Sequence, residues 1–256
     1  MIRFGVLKTA MAAAALVAMG ACSGPVTTGS SGAPAPAAET PAAVKPAAIQ
    51  VQVPEAHEWS FADVPRYGRA ILVNIPSNEL IAFEDGKPVM RRRVITGKPA
   101  TPTPVMETET SVVRFRPTWT PTPTMIKSGK YTPGTRPPGK RNPLGLLAIR
   151  LEPGMLIYLH GTNKPQLYDR ENRALSHGCV RVERWDEVAA WVLETDLDDI
   201  HKRAYGRRTH DVQTDYVRVI IGYHTEFPDA EGVMQTYKDV YRRGTYAEGV
   251  AKETSG

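Results

Sequence analysis

The pattern of apolar and polar positions predicts a meander of short strands at the start of the folded region. Residues 70–75 are apolar and largely β-branched, residues 79–83 follow a Pro-Ser-Asn turn, and residues 87–96 follow an Asp-Gly turn. Short apolar strands joined by tight turns are typical of antiparallel pairing. Further strands are predicted at residues 112–116, 146–150, 155–159, 215–223 and 233–237.

The apolar period becomes helical only after residue 181. Apolar residues then recur at i, i+3, i+4 and i+7, at Trp185, Val188, Ala189 and Val192. This spacing predicts a helix with one apolar face, and a shorter helix is predicted over residues 198–205.

Residues 117–145 contain too many prolines and glycines for a core element, which predicts a long irregular flap. The expected fold class is mainly β, with one or two helices and this Pro/Gly-rich flap.

The start of the chain, up to Glu58, differs in composition from the rest. Two basic residues, an apolar run of roughly 10 residues and Gly20-Ala21 predict a secretory signal over residues 1–21, too short to span a membrane. A cysteine directly after Gly-Ala resembles the lipobox of bacterial lipoproteins, which predicts lipidation of Cys22. The competing interpretation is an ordinary signal peptide cleaved near Ala21. Residues 22–58, rich in Ala and Pro, predict a disordered tether.

The remaining residues divide into a folded domain, residues 59–243, and a flexible tail, residues 244–256. An exported, lipid-anchored chain is expected in the periplasm, and Ser23 after the lipidated cysteine favours the outer membrane. The formal net charge of +5 becomes +3 once Arg3 and Lys8 are removed with the signal. This excess is too mild to indicate a nucleic-acid partner.

The segment Ser176-His177-Gly178-Cys179-Val180-Arg181 carries the clearest chemistry. Cys179 is the only cysteine besides Cys22, and His160-Gly161-Thr162 precedes it in the chain. A thiol becomes a strong nucleophile when a neighbouring base or cation removes its proton. An unpaired thiol in an exported protein favours a working nucleophile over an inert buried cysteine.

These motifs resemble the signature of the L,D-transpeptidase (YkuD-type) catalytic domain. Residues 94–98, 101–104, 117–119, 142–145 and 239–241 resemble successive landmarks of its larger proteobacterial members, so the resemblance covers residues 66–243. It implies a β-sandwich-like catalytic domain that acts on peptidoglycan stem peptides. A tetrapeptide donor would lose its terminal D-Ala to form a thioester, and an amine would then accept the acyl group to give a 3→3 cross-link.

The resemblance leaves the acceptor open. Besides another stem, the acceptor is a lysine of an outer-membrane lipoprotein, a free D-amino acid or water. The resemblance also implies that a carbapenem acylates the thiol.

The resemblance assigns roles to five residues. Cys179 Sγ is the nucleophile, His160 is the base, and the backbone carbonyl of Gly161 orients the imidazole. His177 is the alternative base, since two positions before Cys179 in an extended segment it would share the same side; otherwise it shapes the pocket or binds the donor. Backbone N–H groups around Gly178 and Cys179 form the oxyanion hole. A helix starting just after the thiol would favour the thiolate.

Five residues are predicted to contact the substrate: Arg181, Ser176, Asn142, Trp119 and Thr162. The guanidinium fork of Arg181 matches a carboxylate, and the alternative is a structural ion pair with Glu183 or Asp186. Trp119 and Asn142 belong to the flap, and an ordinary packing role is the alternative for Trp119.

Three other functions use the same residues differently. A thiol hydrolase, either a carboxypeptidase or an amidase, differs only in that water replaces the amine. A zinc site built from His160, His177 and Cys179 would use good ligands, but the spacing matches no established zinc pattern. A non-catalytic wall-binding lipoprotein would keep the fold without the chemistry. We therefore expect neither a metal nor a cofactor.

Overall fold

The computed structural model describes residue 61 and residues 64–244. The predictions for residues 1–58 and 245–256, which include the signal, the lipidation site and most of the tail, lie outside this part. Within it there are twelve strands, three α-helices and one 3₁₀ helix. None of the helices found among these residues is long and apolar enough to cross a membrane.

The elements follow one another along the chain with mostly short connections. The strands are β1 (Arg69–Asn74), β2 (Glu79–Glu84), β3 (Lys87–Gly97), β4 (Met106–Phe115), β5 (Leu147–Leu151), β6 (Tyr158–His160), β7 (Ala174–Ser176), β8 (Val180–Val182), β9 (His210–Gln213), β10 (Arg218–Gly222), β11 (Glu226–Pro228) and β12 (Met234–Thr236). The helices are α1 (Pro123–Lys127), α2 (Trp185–Val192), α3 (Leu197–Ala204) and the 3₁₀ helix Pro165–Asp169.

Ten of the strands form one sheet that closes on itself. The order is β10-β1-β2-β3-β8-β6-β5-β4-β9, with β7 beside β3, and β10 also pairs with β4, so eight strands form a ring. Pairing is antiparallel except between β1 and β10, β3 and β7, and β6 and β8. The mainly β fold class is therefore confirmed, and the sheet is barrel-like.

The first strand is buried on both faces, which explains its continuous apolar sequence. Ile71 and Val73 belong to the larger core, which also includes residues of α2 and α3. Ala70 and Leu72 point the other way, into a smaller cluster that contains Phe83. A strand covered on both sides lacks the apolar–polar alternation of a half-exposed strand.

The meander and the two later helices lie where the pattern predicts them. β1, β2 and β3 pair antiparallel in sequence order, and α2 and α3 match the predicted helices within a residue or two. The predicted strand at residues 155–159 is wrong in its first half, since residues 152–155 turn, with Met155 N donating to Glu152 O at 3.2 Å. Only Tyr158–His160 pairs as a strand.

The flap contains a short helix that the sequence analysis did not predict. The hydroxyl of Thr122 accepts a hydrogen bond from Met125 N at 3.3 Å, and a proline occupies the first turn of α1. A threonine cap followed by proline is a standard helix start, and the signal lies among so many prolines and glycines that it is easily overlooked. No residue of α1 is buried.

Candidate active site

The histidine and the cysteine lie at the ends of two neighbouring parallel strands. β6 ends at His160, and β8 begins directly after Cys179; the register pairs Leu159 with Val180 and His160 with Arg181. Leu159 and Val180 are fully buried in the core. Because side chains alternate along a strand, His160 and Arg181 share the opposite face. Cys179 immediately precedes β8, on the bend formed by residues 177–179.

The imidazole of His160 is buried and held by its neighbour. The side chain is 4% exposed, and Nδ1 lies 2.6 Å from the Gly161 carbonyl oxygen. Nδ1–H therefore donates to this carbonyl, which leaves Nε2 with its lone pair. Burial, with a smaller contribution from the charge of Arg181, lowers the pKa of His160 to about 3. The imidazole is neutral at rest.

A close packing contact explains the glycine after this histidine. A Cβ on Gly161 would lie 3.0 Å from Cδ1 of the Trp185 ring. Trp185 opens α2, so the helix packs directly behind the carbonyl that orients the imidazole. A side chain at 161 would therefore crowd the Trp185 ring, which would have to shift by a few tenths of an ångström.

The thiol of Cys179 is also neutral at rest. Sγ donates a hydrogen bond to the Leu156 carbonyl at 3.3 Å. Burial raises the pKa of the thiol, and the Tyr158 backbone amide and the charge of Arg181 oppose this only in part. Among residues 64–244, neither histidine forms a hydrogen bond with Sγ. The resting site is thus a neutral thiol and a neutral imidazole, not an ion pair.

A tight turn presents the thiol. The buried hydroxyl of Ser176 donates to the Cys179 carbonyl at 2.6 Å and accepts from Gly178 N at 3.1 Å. Gly178 has φ +114°, in a region that side-chain-bearing residues avoid. On the other side, Thr103 Oγ1 donates to the Gly178 carbonyl at 2.7 Å and accepts from Gly97 N at 2.8 Å. Ser176 therefore shapes the nucleophile turn from a buried position.

This turn corrects three predictions. The N–H of Gly178 already donates to the Ser176 hydroxyl, so it is not free to stabilise an oxyanion. Of the two predicted oxyanion-hole donors, only the N–H of Cys179 remains. Residues 177–179 form a bend, so the strand alternation proposed for His177 does not apply. The helix-dipole prediction is wrong, because β8 intervenes and α2 begins only at Trp185.

Arg181 is free of the ion pair considered as its alternative. Glu183 instead pairs with Arg93 at 2.6 Å, and the carboxylate of Asp186 pairs with Arg184 at 3.3 Å and His201 at 2.9 Å. In the described part of the chain, Arg181 pairs with no carboxylate. Burial lowers the pKa of its guanidinium. The ion-pair alternative is contradicted, and the guanidinium remains available to a ligand.

The flap reaches the site through a row of aromatic rings. Trp119 meets Tyr131 edge-on at 5.3 Å between ring centroids, and Tyr131 meets the His177 ring edge-on at 5.8 Å. The backbone of Trp119 pairs with Arg136 across the flap, with N···O distances of 3.0 and 2.6 Å. The flap thus contacts the segment that carries Cys179, and Trp119 packs within it while staying partly exposed.

The other two predicted substrate residues use their polar atoms within the protein. Asn142 is 2% exposed, and its amide donates to Pro117 O and Pro137 O at 2.9 and 3.0 Å. These contacts give Asn142 a structural role in closing the flap. Thr162 accepts from Lys164 N at 3.1 Å and lines a cavity of about 490 Å³ together with Trp185.

Three residues of the site were missed by the sequence analysis. These are Lys98, Lys130 and Tyr131. The ring of Tyr131 contacts His177, and burial lowers the pKa of the His177 imidazole, with the charges of Lys98, Arg181 and Lys130 lowering it further. Tyr131 is the only tyrosine in residues 117–145, which was the one available signal. Nothing in the sequence brings the two lysines together with a histidine that lies so much further along the chain.

The structure does not bring together the ligands that the alternative zinc site would need. Among the residues that the structure describes, no three His, Cys, Asp or Glu side chains are grouped as they would be to hold a metal ion. A family model described as the L,D-transpeptidase catalytic domain, YkuD, matches residues 68–221, more than half of the chain.

The chain belongs to this family. Its members are cysteine-dependent acyltransferases that act on peptidoglycan stem peptides. A Haemophilus influenzae protein named by inference as an L,D-transpeptidase is 28% identical over 170 residues, covering 51% of this chain and 35% of the relative. Escherichia coli YcfS, named in the same way, is 36% identical over 139 residues, covering 49% and 40%. The chain thus spans well under half the length of these L,D-transpeptidase relatives.

Solved structures of L,D-transpeptidases are also similar to this chain. A Mycobacterium smegmatis L,D-transpeptidase has a TM-score of 0.39 at 17% identity and covers 60% of this chain and 58% of its own. An Enterococcus faecium L,D-transpeptidase C442S mutant has a TM-score of 0.36 at 15% identity, covering 60% and 50%. At these scores the similarity adds nothing to the family assignment.

Proposed function

We propose that the protein is a peptidoglycan L,D-transpeptidase that transfers an acyl group through a thioester on Cys179. The observation that supports this most is the parallel pairing of β6 and β8, since β6 ends at the buried, carbonyl-held imidazole of His160 and β8 begins directly after Cys179. Membership of the YkuD family supplies the reaction class. The substrate is the tetrapeptide stem that the family resemblance implies.

The first half-reaction transfers the donor to sulfur. Sγ attacks the carbonyl of the third stem residue while Nε2 of His160 accepts the thiol proton. The tetrahedral intermediate collapses, the C–N bond to the terminal D-Ala breaks, and His160 returns the proton to the leaving amine. The products are a thioester and free D-Ala. The backbone N–H of Cys179 stabilises the oxyanion, an effect worth roughly 3 kcal/mol in such sites.

The second half-reaction releases the acyl group. An amine attacks the thioester, its proton passes to His160, and the C–S bond breaks to return the proton to sulfur. The product is an amide, a 3→3 link when the amine belongs to a second stem. A lysine of an outer-membrane lipoprotein, a free D-amino acid and water are the other acceptors.

The neutral resting pair determines when the thiol reacts. A neutral imidazole with a pKa of about 3 and a thiol whose pKa burial raises exchange a proton only at a cost in free energy. Substrate must therefore displace the thiol from the Leu156 carbonyl and bring polar groups to the forming charges. This arrangement keeps the nucleophile unreactive until a donor is bound.

Product analysis tests the proposal. The full chain is incubated with tetrapeptide muropeptides, and mass spectrometry follows free D-Ala, 3→3 dimers and tripeptide monomers, with Cys179→Ala as the inactive control. Dimers support transpeptidation, and tripeptide monomers alone show that the thiol works as a carboxypeptidase. If the wild type yields neither and a carbapenem leaves its intact mass unchanged, the enzyme proposal fails.

We also propose that the protein is anchored to the outer membrane by lipid on Cys22 and works in the periplasm. The support is the signal pattern and the Gly-Ala-Cys sequence. Membrane fractionation of cells that express the wild type or Cys22→Ala tests this. The variant should move to the soluble periplasmic fraction, and equal membrane retention of both proteins would refute the lipid anchor.

A further inference from the structure

Three positive charges converge on the catalytic segment from three separate parts of the chain. Lys98 follows the end of β3, and its backbone N–H donates to the Ser176 carbonyl at 3.1 Å. Lys130 lies on the flap, next to the tyrosine whose ring contacts His177. Arg181 lies in β8. We call Lys98, Lys130 and Arg181 the cation cluster.

Among residues 64–244, no member of the cation cluster has a carboxylate partner, and for Arg181 this is unusual among the arginines of the sheet. In the described part of the chain, none of the three forms an ion pair with an aspartate or glutamate. Most other arginines of the sheet do pair with a carboxylate, as found for Arg91 with Glu79, Arg92 with Glu187, Arg93 with Glu183, Arg114 with Asp211 and Arg218 with Glu107. Of the sheet arginines in the described part of the chain, only Arg150 and Arg181 form no ion pair with a carboxylate.

Burial makes the missing partner costly for Arg181. Desolvation lowers the pKa of its guanidinium, and only Tyr168, Tyr131 and the thiol offset this effect. The hydroxyl of Tyr168 is itself buried without a hydrogen-bond partner in the described part of the chain. A partly desolvated charge without a counterion destabilises a fold unless a ligand supplies the opposite charge. The cation cluster is therefore suited to bind an anionic ligand.

The chemistry of the reaction identifies this anion as a peptide carboxylate. The leaving residue of the donor carries a carboxylate one residue from the scissile carbonyl, and an acidic stem carries others nearby. Guanidinium and ammonium groups bind carboxylates through short charge-assisted hydrogen bonds. Converting a side carboxylate to an amide removes the charge while keeping the shape.

We propose that the cation cluster binds the carboxylates of the donor peptide and selects donors with free side carboxylates over donors in which these are amidated. This inference rests on the proposed function, because it assumes that the donor is a stem peptide. Lys98 and Lys130 become specificity-determining residues. The flap, which carries Lys130, contributes directly to substrate choice.

Binding to the full chain tests this inference without turnover. Cys179→Ser is used as the background, and calorimetry measures the Kd of a tetrapeptide stem with free side carboxylates and of the same stem amidated. Amidation should weaken binding to the background protein about tenfold. Lys98→Gln should raise the Kd of the free acid about tenfold and Lys130→Gln about threefold, since the exposed ammonium is more screened. Neither variant should change the Kd of the amidated stem more than about twofold.

Lys87→Gln is the matched control. It removes the same charge from an exposed lysine at the opposite end of β3, roughly 30 Å away by strand geometry. Lys98→Arg should restore most of the affinity. Circular dichroism melting curves check that each variant is folded.

Two results would overturn the inference: equal affinity for both stems, or Lys98→Gln and Lys130→Gln behaving like Lys87→Gln. The active protein separates this failure from failure of the proposed function. Turnover of the acidic donor without discrimination removes only the role of the cation cluster. Discriminating binding with neither thioester nor product removes the transpeptidase proposal and leaves a carboxylate-selective peptide site.

Discussion

His160 and His177 are both candidates for the catalytic base, and the protein holds them in different ways. His160 ends a strand, is buried, and has one ring nitrogen 2.6 Å from the Gly161 carbonyl. His177 lies on a bend, is partly exposed, and meets the ring of Tyr131 from the flap. Burial lowers the pKa of His177, and the positive charges of Lys98, Arg181 and Lys130 lower it further.

This comparison separates two tasks within one site. A base needs a fixed tautomer and a fixed direction, which the strand end and the Gly161 carbonyl provide. A substrate contact needs surface, charge and some freedom to adjust, which the bend and the flap provide. We infer that the strand side of the site (His160, Gly161 and Cys179) performs proton transfer, while the flap side (Trp119, Lys130, Tyr131 and His177) binds the donor.

The largest expected effect is the difference between the two histidine variants. His160→Gln should lower the rate of thioester formation by about 10²–10⁴-fold, the usual contribution of a general base. His177→Gln should lower it by about tenfold or less, since it loses only a binding contact. Intact-mass measurement of the acyl-enzyme over time gives both rates. The opposite ranking would move the base to His177 and remove the division between the two sides.

The second prediction concerns the pH dependence of the thiol. Burial raises the pKa of Cys179, so the reactive thiolate becomes more abundant as pH rises toward that pKa. Because the pKa of His160 is lowered to about 3, no imidazolium is present near neutrality to hold a thiolate. Alkylation by iodoacetamide should therefore speed up by about tenfold per pH unit between about pH 6 and 8.

Peptide-level mass spectrometry resolves this alkylation at Cys179 from any at Cys22. Alkylation of free cysteine in the same buffers is the control for solution effects. A flat profile over the same range would mean that an ion pair already exists at rest, contrary to the neutral pair inferred from burial.

A smaller effect is expected at the turn that joins the two sides. Ser176→Ala removes a buried hydroxyl that bonds both Cys179 O and Gly178 N. Leaving these groups unsatisfied should lower the free energy of unfolding by about 1–3 kcal/mol, measured by urea denaturation. Ser128→Ala is the control, since that exposed serine also donates to a carbonyl, at 2.6 Å. Similar losses of unfolding free energy in both variants would show that the buried hydroxyl of Ser176 stabilises the protein no more than an exposed hydroxyl does.

The smallest effect is expected on the flap. Tyr131→Ala removes the ring between Trp119 and His177, and an aromatic pair contributes about 0.5–1.5 kcal/mol. We expect KM for the donor to rise about two- to tenfold with kcat nearly unchanged, and Tyr131→Phe to resemble the wild type. Tyr216→Ala, at a tyrosine that is 66% exposed, is the control. A fall in kcat without a change in KM would assign Tyr131 to the chemical step.

Sequence patterns predicted the elements whose structure depends on local residues. The apolar runs of β1 and β2 and the helical spacing of α2 reflect how each segment buries its own side chains, so their positions followed from periodicity. The short helix α1 was missed because its threonine cap and proline lie within a segment dominated by loop-forming residues. The turn at residues 152–155 was partly missed because apolar residues after it resemble a strand.

The sequence by itself determined that Cys179 lies close to His177 in the chain, and that a second histidine, His160, precedes both. Those facts depend on covalent order. Only the tertiary structure decided that β6 lies parallel to β8, that the Gly178 amide is already bonded to Ser176, and that Arg181 lacks an acidic partner in the described part of the chain while Glu183 pairs with Arg93. Burial and pairing depend on residues far apart in the chain, so charge, pKa and access to the thiol are set by the fold.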